Sequence, residues 1–128
     1  MAQLQTGNTR TFVAGVDLSA SQYCIAKLDT AVENQVNLAT AASDPIAGVI
    51  DGFGTTGKAG DTVVIRKGGF SAKVIASAAI SIGDKVTATT AGQAVTTTNG
   101  GDFLVGRALQ AAAAQGDVIE IELIMAYL

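Results

Sequence analysis

Gly83-Asp84-Lys85-Val86-Thr87-Ala88 is the stretch whose reading decides the fold. Glycine tolerates the positive φ of a tight turn, aspartate is expected to bond its side chain to backbone a residue or two ahead, and the β-branched or aromatic run that follows suits a pleated surface. The phrase recurs along the chain. Gly60-Asp61 precedes Thr62-Val63-Val64-Ile65, Gly101-Asp102 precedes Phe103-Leu104-Val105, and Gly116-Asp117 precedes Val118-Ile119-Glu120-Ile121. Each copy reads as a structural turn that starts a strand. The copies lie 23, 18 and 15 residues apart, too uneven for a solenoid, so no repeat protein is expected.

Outward from these phrases, β-rich runs bounded by turn signals predict strands over 11–18, 22–29, 34–42, 46–53, 62–66, 70–75, 85–89, 94–97, 103–109 and 118–125. Lys67-Gly68-Gly69 predicts a hairpin joining 62–66 to 70–75. Gly106, inside a strand, predicts a bulge or a close backbone approach. The alanine-rich 110–115 is too short to nucleate a helix unaided and reads as a turn or a single helical turn. Short, closely spaced strands predict an all-β fold, a small single-domain barrel or sandwich spanning 11–128. Residues 1–10 are polar and aperiodic and read as an extended N-terminal arm. That arm is either a frayed terminus or a segment that orders on a partner. In the second case Leu4, Arg10 and Phe12 are the candidate contacts, with Leu4 and Phe12 as apolar anchors.

Composition narrows the function. The chain has no histidine, which removes the commonest general base and every Ser-His-Asp or Cys-His design. Asp61, Asp84, Asp102 and Asp117 are each explained by a turn. Glu120 and Glu122 alternate with apolar residues and fall on one face of a strand, the wet one. No catalysis is expected, and nothing implies a cofactor or a metal. Cys24, the single cysteine, cannot form an internal disulfide and reads as a small buried residue. The net charge is −3 and the eight basic residues scatter, which is no footprint for nucleic acid. No apolar run approaches the ~20 residues of a membrane span. The N-terminus has neither the basic start nor the apolar core of a secretory signal. Charged residues make up 15% of the chain, against about a quarter in ordinary domains, which hints at a subunit that hides surface in an assembly.

Two stretches invite other readings. Gly54-Thr55-Thr56-Gly57-Lys58 has half of a phosphate-loop pattern, but Ala59 stands where Ser or Thr is needed and no helix follows. The threonines 87, 89, 90, 96, 97 and 98 read as solvated β surface, without the regular array an ice- or glycan-binding face requires.

In order, these elements resemble the capsid decoration, or cement, proteins of tailed phages. The resemblance runs through Asp17-Leu18-Ser19-Ala20-Ser21-Gln22-Tyr23, Ala42-Ser43-Asp44-Pro45-Ile46, Ala59-Gly60-Asp61-Thr62-Val63, Ala78-Ala79-Ile80-Ser81-Ile82-Gly83-Asp84 with Ala91-Gly92-Gln93, and Val105-Gly106-Arg107-Ala108-Leu109. It implies a β-tulip-like, non-enzymatic protein on the outer surface of the virion's capsid, made in the host cytoplasm. The implied partners are the major capsid protein and the chain itself, as a homotrimer, with neither nucleic acid nor membrane. The implied task is to clamp neighbouring capsomers. A head-fibre base, a tail component and a carbohydrate-adhesion module remain the alternatives. Scarce aromatics, two Tyr and four Phe without Trp, speak against a sugar platform.

Overall fold

A computed structural model describes residues 8–68 and 70–128 and contains ten strands and no helix among them. The strands are β1 (Thr9–Ala14), β2 (Ile25–Leu28), β3 (Gln35–Leu38), β4 (Ile46–Phe53), β5 (Thr62–Arg66), β6 (Ser71–Ile75), β7 (Lys85–Ala88), β8 (Ala94–Thr96), β9 (Phe103–Ala108) and β10 (Val118–Tyr127). The first five close into a barrel in the order β1-β3-β2-β4-β5. The last five form a second sheet in the order β6-β10-β9-β7-β8. The all-β expectation holds. The first strand, however, starts at Thr9, so Thr9 and Arg10 belong to the barrel rather than to an arm.

The predicted β5–β6 hairpin is not formed. β5 pairs with β1 and β4, while β6 pairs with β10. The Lys67-Gly68 segment instead carries the chain from one sheet to the other, and Gly69 lies outside the described residues. Glycines beside a β run specify a change of direction but not which strand the next run will join, so the local signal was ambiguous.

The two halves follow one plan. In the barrel β1 pairs in parallel with β3 through Ala14↔Val36. In the second sheet the residue after β6 does the same with β8, through the bridge Ala76↔Ala94 that brings the two ends of that sheet together. Their hydrogen bonds match. Ala14 N–H donates to Asp61 O (2.8 Å) and Gly60 N–H to Ala14 O (2.8 Å). Ala76 N–H donates to Asp117 O (2.8 Å) and Gly116 N–H to Ala76 O (2.8 Å). The equivalence extends to Gly48 and Gly106, where an added Cβ would collide with the carbonyl oxygens of Arg66 and Glu122 respectively. These residues pair at the same ladder positions, Ala26↔Gly48 and Val86↔Gly106. The close approach expected at Gly106 is therefore present, beside a bulge in β10 where Met125 takes φ 62°. The chain is an internal duplication, although not a solenoid.

Two apolar clusters hold the halves. Inside the barrel, Phe12, Leu18, Val36, Ile50, Val63 and Ile65 pack together with Cys24. The second cluster joins Val74, Val86, Val105, Ile119 and Ile121 to Ile25, Ile46 and Val49 from the barrel's outer wall. β2 at Ile25 and Ala26 and β4 from Ile46 to Ile50 are thus buried on both faces, and the barrel supplies part of its neighbour's core. Burial pushes the Cys24 thiol pKa up, which fits a packed, unreactive residue.

Candidate functional site

The four Gly-Asp turns share one geometry. Gly60, Gly83, Gly101 and Gly116 have φ between 86° and 93°. The following aspartate N–H bonds back to the carbonyl three residues earlier, from Asp61 to Lys58, Asp84 to Ser81, Asp102 to Asn99 and Asp117 to Ala114. Positive φ at the third position with this bond is the pattern of a type II turn. Three of the carboxylates also reach backward, not forward, to backbone. Asp84 accepts from Ser81 N–H (2.9 Å) and from Thr96 Oγ1 (3.0 Å), and Asp117 accepts from the N–H groups of Ala113 (2.8 Å) and Ala114 (3.2 Å). Asp102 accepts from Thr97 Oγ1, a side chain that is buried with Thr87, so the threonine run is not all solvated surface.

Asp61 is the most enclosed by donors. Its carboxylate takes N–H bonds from Thr55 (3.0 Å), Thr56 (2.6 Å) and Gly57 (2.7 Å). These bonds, with Gly57's the largest influence, hold its pKa far below the usual carboxylate range. The half phosphate-loop therefore does curl its N–H groups around an anion, but that anion is the protein's own. The cradle is filled.

The candidate contact residues divide. Leu4 lies outside the described residues. Phe12 is 2% exposed and belongs to the barrel core, so its ring is not presented at the surface. Arg10 stays half-exposed, with its guanidinium 4.5 Å from the Phe12 ring centre and a bond to Asn34 Oδ1. Lys67 lies over the same ring at 5.9 Å. Desolvation, and then the Arg10 charge, push the Lys67 pKa down.

Sequence reading missed a cleft at the seam between the barrel and the second sheet. It has a volume of about 280 Å³ and is lined by Tyr23, Asp51, Arg66, Ser71, Lys73 and Glu120. Arg66 Nε pairs with Asp51 Oδ1 at 3.1 Å, and Ser71 Oγ donates to Glu120 Oε2 at 2.7 Å. These residues come from five separate places in the chain, and no motif joins them. A second opening of about 340 Å³ lies beside Lys27, Asp29 and Asp44. There, Asp29 is occupied by the N–H groups of Ala31 and Val32 and the amides of Gln35 and Asn37, which lower its pKa.

Among the described residues no three or more acidic or cysteine side chains gather to hold a metal ion. What the molecule offers is two packed cores, turns held by internal carboxylates and a polar seam. The chain belongs to the phage cement protein family, whose profile matches residues 4–123. It is thus a virion structural protein, associated with the capsid. Among solved structures it is similar to the head fiber gp8.5 N base in bacteriophage phi29, at 21% identity and a TM-score of 0.63 over 94% of this chain and 96% of that one. That likeness is one of fold. No curated protein matches the sequence.

Proposed function

We propose that the chain is a non-enzymatic cement protein that binds the exterior of the assembled phage head and ties neighbouring capsomers together. Its partner is the major capsid protein, and three copies act together. The family match over residues 4–123 carries this reading. The fold supports it. A clamp must transmit load without deforming, and ten strands sharing continuous cores make a stiff body. Modest contacts to two capsomers at once multiply through effective concentration. Residues 1–7, with Leu4, are proposed to reach a neighbouring subunit, with Arg10 at the arm's base.

The test is reconstitution on heads that lack the protein. Purified chain should co-sediment with them at saturating, symmetry-determined copy number and raise the temperature at which they release DNA. Unchanged release temperature at full occupancy would leave binding but remove the clamp. Removing residues 2–7 spares β1 and should lower occupancy; equal occupancy would discard the arm. A second reading, a head-fibre base, draws on the fold shared with the phi29 head fiber. A fibre projecting from the site in images of the virion would favour it.

A further inference from the structure

The duplication supplies an internal control for one residue. In the second half the turn before β7 places Gly83 at φ 89°. In the first half the matching turn before β2, closed by Cys24 N–H to Ser21 O (3.0 Å), places Tyr23 at φ 67°. A side chain crowds the backbone there, and such strain gathers at functional sites. Tyr23 is only half-buried, so core filling does not account for it. It lines the seam cleft.

One wall of that cleft is the outer edge of β6. Ala76 N–H donates to Asp117 O and Leu123 N–H to Phe70 O, which fixes the alternation of the β6–β10 ladder. Ala72 and Val74 face β10; Ser71, Lys73 and Ile75 turn their backbone groups outward. Tyr23 O takes the Ile75 N–H at 3.1 Å. The outward N–H and C=O groups of Ser71 and Lys73 have no backbone partner among the described residues. With Arg66 held by Asp51, Lys73 is the lining cation that makes no ion pair among the described residues; Glu120, opposite it on β10, takes the Ser71 hydroxyl.

We infer that the cleft binds an extended peptide segment of a shell subunit, added as a strand along the outer edge of β6 beside Tyr23, with a carboxylate opposite Lys73. This rests on the cement reading, which supplies the shell as partner. Strand addition uses unpaired backbone groups for affinity and alternate side chains for specificity. Tyrosine stands in a glycine's place because its ring contacts the added strand.

Three variants test the site. Lys73→Pro removes the outward N–H and the cation but no ladder bond, because proline is tolerated on the open side of an edge strand. Lys73→Thr removes the cation alone. Tyr23→Gly restores the residue of the other half. Binding to undecorated heads is titrated, and amide exchange at Ser71 and Lys73 is compared free and bound. The expected result is slower exchange at both amides on the heads and binding weakened about tenfold or more by Lys73→Pro and by Tyr23→Gly. Lys73→Thr should cost less, and Tyr23→Gly should not lower the melting temperature. Parent-level binding by Tyr23→Gly with unchanged exchange overturns the cleft and leaves the cement reading standing. Failure of the parent chain to bind heads overturns that reading and the shell segment with it. Slow exchange in the free protein that appears with rising concentration assigns the edge to a second copy and overturns the shell segment.

Discussion

Asp84 accepts from one backbone N–H and one hydroxyl, the role a capping side chain plays at a helix end. By that analogy Asp84→Ala should lower stability by about 0.5–2 kcal/mol, measured by denaturant unfolding. Undiminished stability with lost head binding would move Asp84 into the interface. Asp61 has a pH signature as well. Its folded pKa is depressed, so its contribution is present above the unfolded value of about 4 and is lost as pH falls through the folded value. The melting temperature should therefore drop as pH falls from about 5 toward 2, and Asp61→Asn should lower it at neutral pH and reduce that drop. Asp17 and Asp29, whose pKa values are also lowered by hydrogen bonds, keep the drop from vanishing. An identical pH profile in Asp61→Asn would show that the cradle contributes nothing. The Gly-Asp turns were legible because glycine has a distinctive φ. Tyr23 and Met125 take positive φ with ordinary side chains, so nothing in their identity announced it, whereas Asn34 is of a type that visits that region.

At the scale of elements, strands with alternating burial were legible. β6 reads half-buried, buried, exposed, buried, half-buried, and the sequence Ser71-Ala72-Lys73-Val74 alternates polar with apolar in the same way. The pairing was not. Local pattern sets which face of a strand is wet, whereas partners are chosen by packing across the molecule, as the absent β5–β6 hairpin shows. The duplication hid for a related reason. The Gly-Asp phrases were visible, but which copy matches which is written in backbone bonds such as Ala14–Asp61 and Ala76–Asp117. Its sharpest consequence concerns Gly48 and Gly106. Either residue changed to Ala would press a Cβ into a neighbouring carbonyl, at a cost of about 1–3 kcal/mol from forced displacement. The loss should be larger for Gly48→Ala, because Gly48 also holds a φ of 152° that a side chain rarely adopts. A harmless Gly106→Ala would mean that β9 and β10 separate freely.

The whole molecule should behave as one cooperative unit. Ile25, Ile46 and Val49 lie on barrel strands yet belong to the second cluster, so the halves share a core. Calorimetry should give a single transition with equal calorimetric and van't Hoff enthalpies; two transitions would show independent halves. The same sharing creates the seam cleft, whose lining residues run from Tyr23 to Glu120 and could not be assembled from sequence. Class was more legible than site: the lack of histidine, the low charge and the ordered turns pointed to a structural β protein, while the contact set named from the arm included Phe12, a core residue. The measurement that bears most directly on the cement reading is an electron cryomicroscopy map of undecorated heads incubated with the chain. Density of this fold is expected on the outer surface, bridging adjacent capsomers at every equivalent position. Bare heads, or density attached to a single capsomer without a bridge, would contradict it.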